Sequence, residues 1–169
     1  MAIPLQPSAS DPRDTSEVIA ELYGRYGPDL FRLAYRLTGT KEDAEDVVHD
    51  VFVGLPEKLE RYEERGRLDA WLRRVTARVA LMRLRSRRRR QVIRLEHVDL
   101  PAPSGEPPID LQAAVDALPI NLRSVLVLKE IEGYSHTEIA DMLGISAVTS
   151  RVRLFRALRK LRRILRGDG

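Results

Sequence analysis

Residues 118–162 read LPINLRSVLVLKEIEGYSHTEIADMLGISAVTSRVRLFRALRKLR, and the turn signals in this stretch decide the fold. Leu118-Pro119 closes one short helix and opens another, because proline suits a first helical turn. Val125, Leu126, Leu128 and Ile131 form an apolar stripe that Gly133 ends as a C-terminal cap. Ser135 is the expected N-cap of a helix over His136–Leu143, and Glu138 completes a capping box. Gly144-Ile145-Ser146 makes the next turn, and Ser146 caps a long helix running to about Leu165. Ala140 sits where two helices approach closely, while Ile139, Leu143 and Ile145 are placed for a small shared core. This spacing describes a helix-turn-helix.

In the last helix Leu154, Leu158, Leu161 and Leu165 share one face. Arg151, Arg153, Arg156, Arg159, Arg162 and Arg163 fall largely elsewhere. Such a helix can lie in a DNA major groove with its first turns against base edges. A plainer reading is a helical hairpin with a solvated basic face. Ser150 falls on the inward side, where a larger apolar residue is usual, and Val148 and Val152 are expected to compensate by a small helix rotation.

The whole chain has 169 residues, 43% hydrophobic and 32% charged, with a net charge of +4. That balance suits compact helical domains and excludes a wholly disordered chain. No run approaches the ~20 apolar residues a bilayer needs, and the N-terminus lacks the build of a signal peptide, so a cytoplasmic location is expected. The absence of cysteine removes disulfides, thiol catalysis and thiolate zinc sites. His49, His97 and His136 are far apart, and no HExxH, P-loop, GxGxxG or GxSxG occurs. A protein without enzymatic activity, cofactor or metal is expected.

Charge is blocked along the chain: −6 over residues 1–60, +10 over 61–94, −5 over 95–120, −2 over 121–143 and +7 over 144–169. Two basic blocks point to two polyanion contacts, since Lys and Arg clusters release counterions from phosphates. The organisation follows: a disordered leader over 1–15, a helical domain over 16–92, a Pro-rich flexible linker over 93–110 and a second helical domain over 111–167. The expected fold class is therefore all-α, with two small helical domains on a tether.

In the first domain Leu22, Tyr23 and Tyr26 build a segment expected to break at Gly27-Pro28. Leu30, Phe31, Leu33, Ala34 and Leu37 build a second, ended at Gly39. Thr40 and Asp43 cap a third over Lys41–Phe52, with carboxylates on one side and Val47, Val51 and Phe52 on the other. Trp71, Leu72, Val75, Val79 and Leu84 begin a fourth that becomes almost wholly basic over Arg83–Arg90.

The runs LTGTKEDAEDVVHDVF (37–52) and RYEERGRLDAWLRRV (61–75), a basic helix, a linker and the stretch over 118–162 together resemble a bacterial extracytoplasmic-function sigma factor. The resemblance covers roughly residues 17–166, in the family's order and spacing. It implies a promoter-specificity subunit that binds RNA polymerase core enzyme and reads the −10 and −35 promoter elements, with an anti-sigma factor as regulator. It further implies that Asp43, Glu45, Asp46, Val47, His49, Asp50 and Phe52 dock on the polymerase clamp helices. Carboxylates would steer a basic partner there and apolar neighbours would supply contact area.

The resemblance also places a pocket for an unstacked −10 base in the loop Glu64–Asp69, with Arg65, Arg67, Arg74, Arg78, Arg83 and Arg85 on DNA near −10. Ser146, Thr149, Ser150, Arg151, Arg153 and Arg156 would contact the −35 element. Trp71 reads as core rather than as a stacking platform. The acidic linker resembles the segment that threads the polymerase cleft, although a solvated spacer explains it equally. Three features depart from the family: Arg78 and Met82, where Asn and Asp are common, and Gly54-Leu55-Pro56, which should shorten or kink the third helix. Two other readings compete. One is a stand-alone helix-turn-helix regulator whose first domain dimerises; the other is a metal nuclease using Asp46, His49 and Asp50.

Overall fold

In the first helix, a line of leucines holds the backbone together across a proline. The computed structural model describes residues 12–62, 67–93 and 111–167, and the regular elements among them are all helical. Helix α1 runs unbroken over Pro12–Thr38, so the expected break at Gly27-Pro28 does not occur. Leu22 and Leu30 lie eight residues apart and in phase, and both are buried with Leu33, Ala34 and Leu37. An interior proline costs roughly 3 kcal/mol. Each fully buried leucine returns about 1.5–3 kcal/mol, so one continuous stripe wins. Pro28 crowds the carbonyl four residues back, at exposed Gly24, where water can reach it. Helix α1 also takes up residues 12–15 of the expected leader, with Pro12 at its start. Residues 1–11 lie outside the described part.

Gly39, at φ +82°, turns the chain into α2, Lys41–Val53. Thr40 caps α2 as expected, its Oγ1 accepting from the Asp43 amide at 3.2 Å. α2 packs against α1 through Ala44, Val47, Val48, Val51 and Phe52. Gly54 stops α2, and Pro56 sits in the first turn of a five-residue α3, Leu55–Leu59, which is the shortening expected at this departure. Helix α4, Leu68–Ile93, buries Leu68, Leu72, Ala77, Ala80 and Leu81. Half-buried Trp71 packs its ring 4.9 Å from that of Tyr62.

The chain divides into two units, residues 1–83 and 84–169, and the division falls inside α4. The second unit carries α5 (Leu111–Asp116), α6 (Ile120–Leu126), a π-helical turn (Val127–Ile131), α7 (His136–Leu143) and α8 (Ala147–Arg166). Val115, Leu118, Leu126 and Ala157 form its core, with Leu122, Leu154, Leu158, Leu161 and Ile164 packed on it. The inward line of α8 thus uses Ala157 and Ile164 and not Leu165. The π turn is absent from the sequence reading and corrects it. An extra residue per turn rotates the stripe, so Val127 is buried while Ile131, expected inside, is exposed.

The caps and turns of the helix-turn-helix fall where the residues place them. Ser135 Oγ accepts from the Glu138 amide, and the Glu138 carboxylate accepts from the Ser135 amide at 2.9 Å. Gly144 adopts φ +65° and ψ 42°, a left-handed conformation open to glycine with little strain. Ser146 Oγ accepts from the Thr149 amide at 3.0 Å and opens α8.

Candidate interaction surfaces

The acidic residues of α2 belong to two environments. Asp43 turns back into the cap, where the Thr40 hydroxyl donates to it at 2.8 Å. Glu45, Asp46, His49 and Asp50 are exposed. They do not form an isolated carboxylate face. Arg83 of α4 donates from Nη1 to Asp50 at 2.5 Å and from Nη2 to Asp46 at 2.6 Å. The hydrogen bond to Asp50, reinforced by that to Asp46, holds the Arg83 guanidinium above its ordinary pKa against the opposing cost of desolvation. Each half of this clamp is partly solvated, so it contributes at most about 1 kcal/mol.

The clamp corrects one expectation, because Arg83, assigned to DNA near −10, faces α2. Burial corrects one more. Val47 is fully buried, seats α2 on α1 and is not the exposed docking contact expected of it. Phe52 is largely buried, edge-on to Tyr23 at 5.0 Å, and still lines the groove between the two helices. The exposed apolar contribution comes from elsewhere. A groove of about 940 Å³ between α1 and α2 is lined by Tyr23, Phe31 and Val53, with Glu45, Asp46 and His49 on its rim. Tyr23 and Val53 are exposed, and the reading of α2 alone missed both. The arrangement offers an apolar floor and an acidic edge, which suits a helix with one apolar face and a basic flank. No group of three metal-ligating side chains occurs among the described residues, and Arg83 occupies the carboxylates that a metal would need.

On α4, Arg67 precedes the helix and is exposed, as are Arg78 and Arg85, while Arg74 is half-buried. Arg78 and Met82, the two departures, lie four apart and exposed on one side of the helix. Arg65 and the loop expected to hold an unstacked base lie outside the described residues, apart from Arg67, Leu68 and Asp69.

The outward side of α8 begins at its cap. Ser146 is exposed and Thr149 half-buried, with their hydroxyls 2.9 Å apart. Arg151 and Arg156 are exposed, and Arg153 is half-buried. Ser150 is fully buried and cannot meet a base edge. Its hydroxyl lies 2.9 Å from His136 Nδ1 at the start of α7 and joins the two helices. That polar contact accounts for a serine on the inward side. The expected compensation by Val148 and Val152 does not occur, since both side chains are exposed. Burial, with repulsion from Lys129 and Arg151, holds the His136 imidazole below its ordinary pKa; Glu130 opposes the shift.

Comparison with known proteins follows the same division. Residues 22–90 match the Sigma-70 region 2 family and residues 109–161 the Sigma-70 region 4 family. Over 153 residues the chain is 35% identical to the ECF RNA polymerase sigma factor SigE of Mycolicibacterium smegmatis, covering 84% of this chain and 59% of that protein. Over 148 residues it is 30% identical to SigM of Mycobacterium tuberculosis, covering 86% of this chain and 76% of the relative. Among solved structures, the sigma factor RpoE of Bartonella quintana, in complex with the anti-sigma factor NepR, aligns with a TM-score of 0.60 at 25% identity. That alignment spans 91% of this chain and 99% of RpoE.

Proposed function

The chain belongs to the ECF RNA polymerase sigma factors, and on that premise we propose that it binds core polymerase through the α1–α2 groove and directs it to a two-part promoter. The observation that carries the docking role is an apolar groove edged by the carboxylates Glu45 and Asp46, with His49 and Arg32 also lining it, beside exposed Tyr23 and Val53. Carboxylates accelerate encounter with a basic partner, and the apolar floor supplies the area that holds it. Ser146, Thr149, Arg151, Arg153 and Arg156 of α8 approach the −35 element. Arg67, Arg74 and Arg78 track the opened strand near −10 by charge, whereas Arg85 donates to the Met142 carbonyl at 2.7 Å and serves that contact first. Arg83 serves the α2 face first.

The chain performs no chemistry of its own in this role. It acts in the cytoplasm, with polymerase and promoter DNA as partners. An anti-sigma factor would regulate it, a reading supported by the structural relative RpoE being in complex with the anti-sigma factor NepR.

Run-off transcription with purified core polymerase and a pool of promoter fragments tests the proposal. Specific transcripts should appear with the full chain and fall on the order of a hundredfold with Asp46→Lys combined with Asp50→Lys. Arg83→Gln is the control that breaks the clamp without reversing the acidic face. Site-specific DNA binding by the chain alone, with no transcripts, would replace this reading with a stand-alone regulator.

A further inference from the structure

Helix α1 carries Gly24, Gly27 and Pro28 in its middle. Pro28 has no amide hydrogen, so the Gly24 carbonyl lacks the donor that an interior helical turn normally supplies. Gly24 itself is exposed, and a methyl group placed on it would meet nothing within 4 Å. A helix bends at such a place at little cost. The hydrogen bond that a bend would break is already missing, and glycine adds no side chain to crowd it.

The two arms on either side are anchored unequally. Beyond Pro28, Leu30, Leu33, Ala34 and Leu37 are all at most 1% exposed, and the Thr38 hydroxyl donates to the Ala34 carbonyl at 2.9 Å. Before Gly24, Leu22 is the one buried side chain among residues 15–23. Tyr23 lies edge-on against Phe52 yet stays 55% exposed. The groove between α1 and α2 spans the junction. Ile19 and Tyr23 line it from the first arm, Gly27 and Pro28 from the middle, and Phe31 from the second arm.

We propose that residues 12–23 form a hinged lid that swings about Gly24–Pro28, lifts Tyr23 from Phe52 and closes again over the polymerase segment seated in the groove. The proposal rests on the reading of this groove as the polymerase docking surface. Ile19 stands about 10 Å along the helix from the middle of the hinge. A bend of about 20°, the onset of a proline kink, moves it roughly 4 Å, enough to admit a side chain. The same swing uncovers the Phe52 ring and enlarges the apolar floor. Burial of Leu22 favours the shut position in the free chain.

Gly24→Ala tests the hinge without touching the groove, which Gly24 does not line. Alanine favours a straight helix interior, so the melting temperature of the full chain should rise by about 5 °C. Affinity for core polymerase should nevertheless fall about threefold, because the open form becomes rarer. Pro28→Ala, which restores the amide, should move both quantities further in the same directions. Hydrogen–deuterium exchange over residues 16–23 should slow in both variants, with exchange over 30–38 unchanged. Ser16→Ala, an exposed change in the lid away from the hinge, should stabilise slightly and leave affinity as it is.

A stabilised Gly24→Ala chain that binds core polymerase like the wild type would overturn the proposal. So would a Gly24→Ala chain whose stability and exchange over 16–23 do not change. An equal loss of affinity with Ser16→Ala would trace the effect to helix stability in general and overturn it too. In each of these cases, loss of core binding with Asp46→Lys combined with Asp50→Lys would leave the docking reading standing. Core binding indifferent to that charge reversal and to both hinge variants would remove the two together.

Discussion

Helices α2 and α8 each carry a run of like charge, but the fold treats the two runs differently. On α2, Asp46 and Asp50 meet Arg83, which lies 37 and 33 residues away in the chain. On α8, Arg151 and Arg156 stay exposed on a helix that has no acid of its own. A charge pattern read along one helix therefore states its surface faithfully only when no distant element carries the complement. On α8 the exposed Arg151 and Arg156 keep the surface that the pattern describes. α2 does not keep its pattern, because Arg83, from the part of α4 in the same unit, reaches its acidic side.

Several substitutions sharpen or break this contrast. Arg156→Gln should lower promoter affinity on the order of tenfold and reduce the salt slope by about one, with thermal stability unchanged. Filter binding of holoenzyme across a salt series measures both effects. A large loss of stability would mean that Arg156 is structural, and the contrast with α2 would fail. Ser150→Ala should destabilise the second unit by about 1 kcal/mol, because one buried hydrogen bond to His136 is lost. Urea unfolding reads that change; a stability equal to wild type would show that the contact contributes nothing.

Arg83→Gln bears on α2 itself. It should cost at most about 1 kcal/mol of stability and raise affinity for core polymerase roughly threefold, because two carboxylates are released to the partner. Titration of labelled core polymerase decides this. Weaker binding would instead mean that Arg83 holds the acidic face in its docking geometry.

The smallest effect concerns pH. The folded second unit keeps His136 neutral to a lower pH than the unfolded chain, whose imidazole titrates near 6.5. As pH falls through 6.5 the unfolded state takes up the proton first. Stability should be complete above neutrality, decline below pH 6.5 and level off once the folded imidazole also protonates. His136→Gln should flatten that part of the profile in thermal melts, and an unchanged slope would assign it to other groups.

The helix boundaries around the turns were legible because their causes are local. Ser135 with Glu138, Gly144, Ser146 with Thr149, and Thr40 with Asp43 each satisfy backbone groups within four residues, so the residue types suffice. Pro56 shortened the third element for the same reason. Pro28 misled because its local cost is outweighed by an apolar stripe whose value depends on α2 being there to cover it. The π turn misled similarly, since helical periodicity carries no mark of one inserted residue. Of the candidate site residues, the exposed members of α8 followed from periodicity, and so did the inward sides of Val47, Phe52 and Ser150; what periodicity left out was how completely a neighbouring helix covers Val47 and Ser150. Each lies at a helix position whose burial is set by a neighbouring helix.

The sequence by itself determined the helical class, the order of the elements, the caps and the alternation of acidic and basic blocks. These depend on contacts within a turn or two of the backbone and on composition. Only the tertiary structure decided that Arg83 belongs to Asp46 and Asp50, that Tyr23 and Val53 supply the exposed surface of the α1–α2 groove, and that Ser150 turns inward to His136. Those pairings join residues 14 to 37 positions apart or depend on which face a second helix covers, and no local free-energy term distinguishes them.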